Sequence, residues 1–396
     1  MRNALSPRHA LLLAAALATA LPLTLHAKTF RFARAADMST WDVHAQNVGV
    51  NNLMHAAVYD TLIEYDSKTF KPRGSLASEW KQVSPTQLRL TIRPGVKFSD
   101  GSDFSAADAK FSLERAKAKT SNFTVYALGV DRVEVVNATT LDIFSTVPNP
   151  VLLNQLTELR MLNKAWAEKN NSAEPKDIRT KDETFAHRNA MGTGPFMLKN
   201  WTPDQRATLV PNPLWWGRAK YPTNVTEIIY TPIKSDATRM AALLSGEVDF
   251  VLDPALQDLA RVRQTDALKV LEGPENRTIF LGMDQFRDEL PNSSVRGANP
   301  LKDVRVRKAL YQAIDINGIQ KVVMRGLAQP SGALIAPQVN GWTKKANQRY
   351  PYDVAAAQKL MAAAGYPQVC VRPTHLEQEL IPGDSVHDED HAHRGE

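Results

Sequence analysis

A chain of 396 residues exceeds one ordinary domain, so two or more hydrophobic cores are expected. Hydrophobic residues at 43% and charged residues at 23% make a globular balance and exclude a chain that is disordered throughout. The formal charge of +6 is small for this length and gives no argument for a nucleic-acid partner, while a single cysteine, Cys370, leaves no intrachain disulfide to form.

Residues 1–27 read as a secretory signal peptide: Arg2 and Arg8 supply the positive start, 10–25 is an apolar Ala/Leu-rich run, and Ala27 is a small residue before Lys28. Cleavage there leaves 396 − 27 = 369 residues with a charge of 46 − 42 = +4. The apolar run is short for a membrane span, and the cleavage point has no Cys for a lipid anchor, so a free periplasmic product is expected.

The mature chain opens on an alternating strand at 28–33, followed by the loop Met38-Ser39-Thr40-Trp41-Asp42. The spacing of Leu53, Met54, Ala57, Val58 and Leu62 predicts a helix over 47–65. Leu88, Leu90 and Ile92 alternate with polar residues as in a half-buried strand. Over 93–108 the chain reads as a Pro-Gly turn, a short strand, an Asp-Gly turn and a helix start, with Ser105 as cap and Asp108 completing a capping box. Tyr126 falls in the loop after that helix. Turn residues 137–140 predict a hairpin joining 133–136 to 141–144, and 164–184 reads as an exposed loop or helix.

Gly192-Thr193-Gly194-Pro195 is a sharp turn leading into a hairpin, with Phe196 and Leu198 on one strand, Ala207, Leu209 and Val210 on the other, and 202–205 between them. Asn212-Pro213-Leu214-Trp215-Trp216-Gly217 closes it, with both tryptophans read as packing aromatics. A strand at 226–230, a helix capped by Ser235 and stopped by Gly246, and a strand reaching Phe250 follow. Residues 278–284 read as a strand; 301–310 and 354–364 read as helices, with Arg305 and Arg307 on a solvated face.

Three of these stretches carry a resemblance: G-T-G-P-F, hairpin, N-P-x-x-W-G over 192–217; R-P-G-V-K-F-S-D-G over 93–101; and R-M-A-A-L-L-S-G-E-V-D over 239–249. Together they resemble the family 5 extracellular solute-binding proteins, the peptide-binding and nickel-binding receptors of bacterial ABC importers. The resemblance implies an α/β fold of the two-lobe periplasmic-binding-protein type, class II-like, with mixed sheets. Lobe one is expected over 28–277 with an extra subdomain at about 60–190, and lobe two is expected to start over 278–367. In this family the loop near residue 40 lines the ligand cleft and an aromatic after the first long helix reaches it. Ser39, Trp41, Tyr126 and the crossover residue Met283 are therefore the expected ligand contacts, although Trp41 and Val43 stand where the family pattern has Leu and Pro.

The family pattern is read as far as Pro367, so the second lobe is expected to be incomplete. The tail 368–396 holds Cys370, four of the nine histidines (His375, His387, His391, His393) and a run of acids, and is expected to be an atypical, disordered end produced by truncation or a frame shift. Histidines on an acidic tail lacking a scaffold give no metal site.

The expected function is capture of di- or oligopeptides by a periplasmic monomer that delivers them to a membrane permease, with no cofactor, metal or nucleic acid. Enzyme motifs such as Gly-x-Ser-x-Gly and His-Glu-x-x-His are missing. Alternatives are a receptor for another solute (a nickel chelate, an opine or a glycan) and a non-functional fragment of such a receptor. A hydrolase would need a buried pair built on His44, His55 or His187.

Overall fold

The computed structural model describes residues 28–177, 182–273, 275–291, 293–339 and 341–367. The signal peptide reading at 1–27 and the tail at 368–396 lie outside the described residues. The chain divides between Asp253 and Pro254 into two compact units.

Unit one is built on two sheets. Strand β1 (Lys28–Arg34) is flanked by parallel partners from far along the chain, β10 (Val225–Pro232) and β11 (Phe250–Val251). The hairpin β8 (Phe196–Thr202) and β9 (Arg206–Pro211) extends this sheet antiparallel, giving the order β11-β1-β10-β9-β8. Its turn holds Asp204 at φ 59°, an angle an Asp tolerates better than most side chains. The second sheet is antiparallel, with β4 (Ala77–Ser84), β5 (Gln87–Ile92), β7 (Thr140–Phe144) and β6 (Arg132–Asn137) in that order. On β5 the expected alternation holds: Leu88, Leu90 and Ile92 are buried while Arg89 and Thr91 face out. A two-strand ribbon pairs β2 (Ile63–Tyr65) with β3 (Pro72–Gly74).

Each sheet has its own core. Phe98, Phe104, Leu113, Phe123 and Leu156 pack with the inward residues of the antiparallel sheet, and Trp41, Met54, Tyr59, Leu209 and Tyr230 pack beside the mixed sheet. The Ala106–Ala116 helix starts as its sequence requires. Ser105 N–H donates to Asp108 Oδ2 at 3.0 Å, and Asp108 Oδ1 accepts from Lys164 N–H at 3.0 Å, so one carboxylate fixes two chain segments.

The helix expected over 47–65 is shorter, Gly49–Val58. Tyr59 is already extended at φ −124°, ψ 136°, and 63–65 is strand β2. The reason lies elsewhere in the sequence: Gly194 N–H takes the Val58 carbonyl at 2.9 Å, and Thr61 bridges Arg160. These tertiary partners override the helical spacing of Leu62.

Unit two carries the Leu259–Arg263, Val304–Gln312 and Val354–Ala363 helices and, among the described residues, no strand. The strand expected at 278–284 does not form. A strand needs a ladder partner, and no described segment supplies one. Asp303 and Asp353 cap their helices by accepting from Arg305 N–H and Ala356 N–H, and Arg305 Nη1 reaches the Ala363 carbonyl at 2.7 Å. Arg307 donates to the Leu301 and Lys302 carbonyls, so both arginines hold unit two together rather than wait for an anion.

Candidate functional site

The loop before the Gly49–Val58 helix carries two of the expected contacts, and polar side chains hold its path. Ser39 N–H donates to Asn51 Oδ1 at 2.9 Å, Asn51 Nδ2 returns to Ser39 Oγ at 3.0 Å, and Ser39 Oγ donates to Gln46 Oε1. Ser39 stays half-buried. Trp41, by contrast, has no exposed surface. It sits in the core with its ring 6.0 Å from that of His55 and its carbonyl accepting from Tyr59 Oη at 3.3 Å. As the chain stands, Trp41 presents nothing to a ligand.

Beneath the loop is a buried charge pair that sequence reading missed. Arg115 donates to both oxygens of Asp42 at 2.7 and 2.6 Å, to Ser172 O at 3.2 Å, and lies 3.2 Å from His44 Nδ1. Burial alone would raise the Asp42 carboxyl, but the Arg115 charge and its hydrogen bonds outweigh it and hold the group below its usual range. Burial, reinforced by Arg115 for His44 and by Arg160 for His55, pushes both imidazoles down to about 3. They are neutral at pH 7. Thus the histidines of the hydrolase reading are buried: His55 meets Thr40 O, and His187 Nδ1 meets the N–H and hydroxyl of Thr184 as part of a helix cap.

Tyr126 is tied to the stretch that also holds Ser39. Its hydroxyl accepts from Asn47 Nδ2 at 3.5 Å, and Asn47 Oδ1 accepts from Asn52 Nδ2 at 2.8 Å. Next to these lies Arg160, whose Nη2 donates to Asn52 O at 3.0 Å and whose Nη1 donates to Glu158 O at 3.5 Å. Ser39 and Tyr126 are thus gathered onto residues 46–52. Met283 is half-buried in unit two.

A third constellation joins the marker motifs. Asp60 accepts from Thr193 Oγ1 at 2.9 Å and from Trp216 Nε1 at 2.8 Å, while Arg93 stacks 4.4 Å above the Trp216 ring. Burial raises the Asp60 carboxyl to about 6 despite these two donors. Asn212 Nδ2 donates to Gly194 O at 2.9 Å, which fixes one motif on the other. Trp216 is therefore more than a packing aromatic: its N–H is the clasp between the hairpin's closing turn and the Val58-Tyr59-Asp60 segment.

The family model for bacterial extracellular solute-binding proteins, family 5 Middle, matches residues 71–381. The chain belongs to this family. Its match continues past Pro367, where the motif-level resemblance was read to end. The glutathione-binding protein GsiB of Salmonella typhi is 27% identical over 349 residues, covering 87% of this chain and 62% of the relative. A putative ABC transporter peptide-binding protein of Brucella ovis is 28% identical over 314 residues, 78% of this chain and 55% of the relative. This family 5 chain therefore spans less than two thirds of these relatives' length.

Solved structures share its fold. The periplasmic binding protein DppA from Helicobacter pylori, in complex with the peptide STSA, matches with a TM-score of 0.72 at 24% identity, over 86% of this chain and 66% of that one. The oligopeptide-binding protein AppA from Bacillus subtilis, in complex with a nonapeptide, also gives 0.72, at 18% identity, over 85% and 64%. The fold is the two-lobe periplasmic-binding-protein type, α/β with mixed sheets. Among the described residues no helix is long and apolar enough to cross a membrane, and no group of three His, Cys, Asp or Glu is placed to hold a metal ion.

One signal for the missed charge pair was present in the chain. Helical spacing puts Arg115 on the same face as Asp108 and Ser112, and all three are buried. A charged residue on a buried face requires a partner, and Asp42 is that partner. Arg160 and Asn52 gave no comparable signal, because 108 positions separate them.

Proposed function

We propose that this chain acts as the solute-binding component of an ABC importer, capturing di- or oligopeptides in the periplasm and passing them to a membrane permease. The observation that carries the reading is the family 5 match over residues 71–381, taken with peptide-binding and glutathione-binding relatives along most of the chain. On this reading 1–27 is a cleaved signal peptide, and 278–367 begins the second lobe. Ser39, Tyr126 and Met283 touch the solute, and Trp41 supports the loop from beneath. The mechanism is closure on the ligand, in which contacts made only in the closed form shift the population toward it. No chemistry on the solute is required, and the protein works as a monomer.

Native mass spectrometry of the protein recovered from periplasm tests this. A mass beginning at Lys28 with peptide adducts is expected. The same mass without adducts after a dipeptide and tetrapeptide library is added would overturn the receptor reading. A second reading, that the chain holds no solute, draws on unit two, where Ile279 is 71% exposed and Phe286 93%.

A further inference from the structure

Arginine cannot shed its proton under ordinary conditions and carries five donors, so a guanidinium withdrawn from water needs either an anion or a full set of acceptors. Arg115 has both. Arg160 does not. Its described acceptors are two backbone carbonyls, Asn52 O and Glu158 O. Its Nε is buried with no partner, and among the described residues it makes no ion pair. The acids nearest in charge are engaged elsewhere: Glu158 accepts from Thr157 Oγ1 at 3.4 Å, and Asp60 is held by Thr193 and Trp216. Burial lowers the guanidinium's affinity for its proton, the direction expected of a cation short of a counter-charge.

Apart from those two carboxylates, the polar neighbours of Arg160 are uncharged. Asn52 Oδ1 is buried without a partner, Asn47 lies one hydrogen bond away, and Tyr126 Oη feels the Arg160 charge. A planar guanidinium with free donors beside a phenol matches a carboxylate, which accepts two parallel N–H bonds and a third from a hydroxyl.

We propose that Arg160 is the anchor for a carboxylate of the captured solute, with the Tyr126 hydroxyl donating a further hydrogen bond to it. The inference rests on the peptide-receptor reading and deepens it by naming the group recognised and the residue that recognises it. Two sources supply that chemistry, a peptide's carboxyl terminus and an acidic side chain.

The test is calorimetry on the full protein with Ala-Ala, its carboxamide Ala-Ala-NH2, and Ala-Glu-NH2. The acid is expected to bind roughly ten- to a hundredfold more tightly than the carboxamide, the range of a charge-assisted pair. Recovery of affinity by Ala-Glu-NH2 would support the anchor with a side chain as the source. In Arg160→Gln the acid should fall to the carboxamide's level while the carboxamide is unchanged; Arg160→Lys should restore part of the difference. Equal binding of acid and carboxamide by the unaltered protein overturns the proposal and leaves the receptor reading standing, as does a variant that weakens both alike or keeps the discrimination. If none of the three peptides binds, the anchor is overturned, while the receptor reading is judged by the peptide library of the mass-spectrometric test. Where Arg160→Gln does not fold, Arg160→Lys carries the residue test, and undiminished discrimination in it overturns the proposal.

Discussion

Asp42 and Arg115 place opposite charges where neither side chain has any exposed surface, 2.6 Å apart. Removing one partner leaves the other charged and dry, so Arg115→Met is expected to cost about 3–5 kcal/mol in urea unfolding. Replacing both with apolar residues should recover much of that loss, because the penalty comes from the orphaned charge. The pH dependence has a definite sign. The folded-state Asp42 carboxyl lies below its unfolded value of about 3.9, so its contribution is present above pH ~4 and fades as pH falls through the folded value. Asp60 has the opposite sign. Its carboxyl is raised to about 6, so between pH ~4 and ~6 the folded form binds the extra proton and stability falls as pH rises. Asp60→Asn should flatten that part of the stability profile by at most about 3 kcal/mol while Trp216 keeps an acceptor, and thermal melts across pH 4–7 would show it.

At the scale of elements, the turn into the β8–β9 hairpin decides where the preceding helix ends. A Cβ on Gly192 would stand 2.0 Å from the Val58 carbonyl oxygen, a backbone atom with nowhere to go. Gly246, which stops the Asp236–Leu244 helix at φ 75°, would meet nothing within 4 Å. Gly192→Ala is therefore expected to destabilise by about 2–3 kcal/mol or more, through overpacking, and Gly246→Ala by only about 1 kcal/mol, through backbone strain. Denaturant midpoints of the two variants check the ranking, and equal losses would refute it. The same contrast explains what was legible in the chain. The Ser105–Asp108 capping box, the β8–β9 hairpin and the alternation on β5 are local, set by residues within reach of one another along the sequence. The helix end at Val58 was misread because its cause, Gly194, is far along the chain. At the site the loop holding Ser39 and the position of Tyr126 were legible through the family pattern. Trp41's burial, Arg160 and the Asp60 clasp were not, since each depends on which distant segments pack together.

At the scale of the whole chain, the two compact units differ in how their backbones are satisfied. Strand β1 has parallel neighbours on both edges, so its amides can open only when the mixed sheet does. Across 278–283, in contrast, no amide donates to another described residue, and Ile279, Phe280 and Leu281 are all exposed. A backbone without a ladder exchanges its amide hydrogens from the open state at essentially all times. Hydrogen exchange read by mass spectrometry should therefore show β1 and β10 protected for hours and peptides covering 278–283 exchanged within the first seconds. Limited chymotrypsin digestion should cut first at Phe280 or Leu281 and leave a resistant fragment containing 28–253. Protection of 278–283 equal to that of β1 would mean that this segment has found a strand partner, and the boundary between the two compact units would then have to be redrawn.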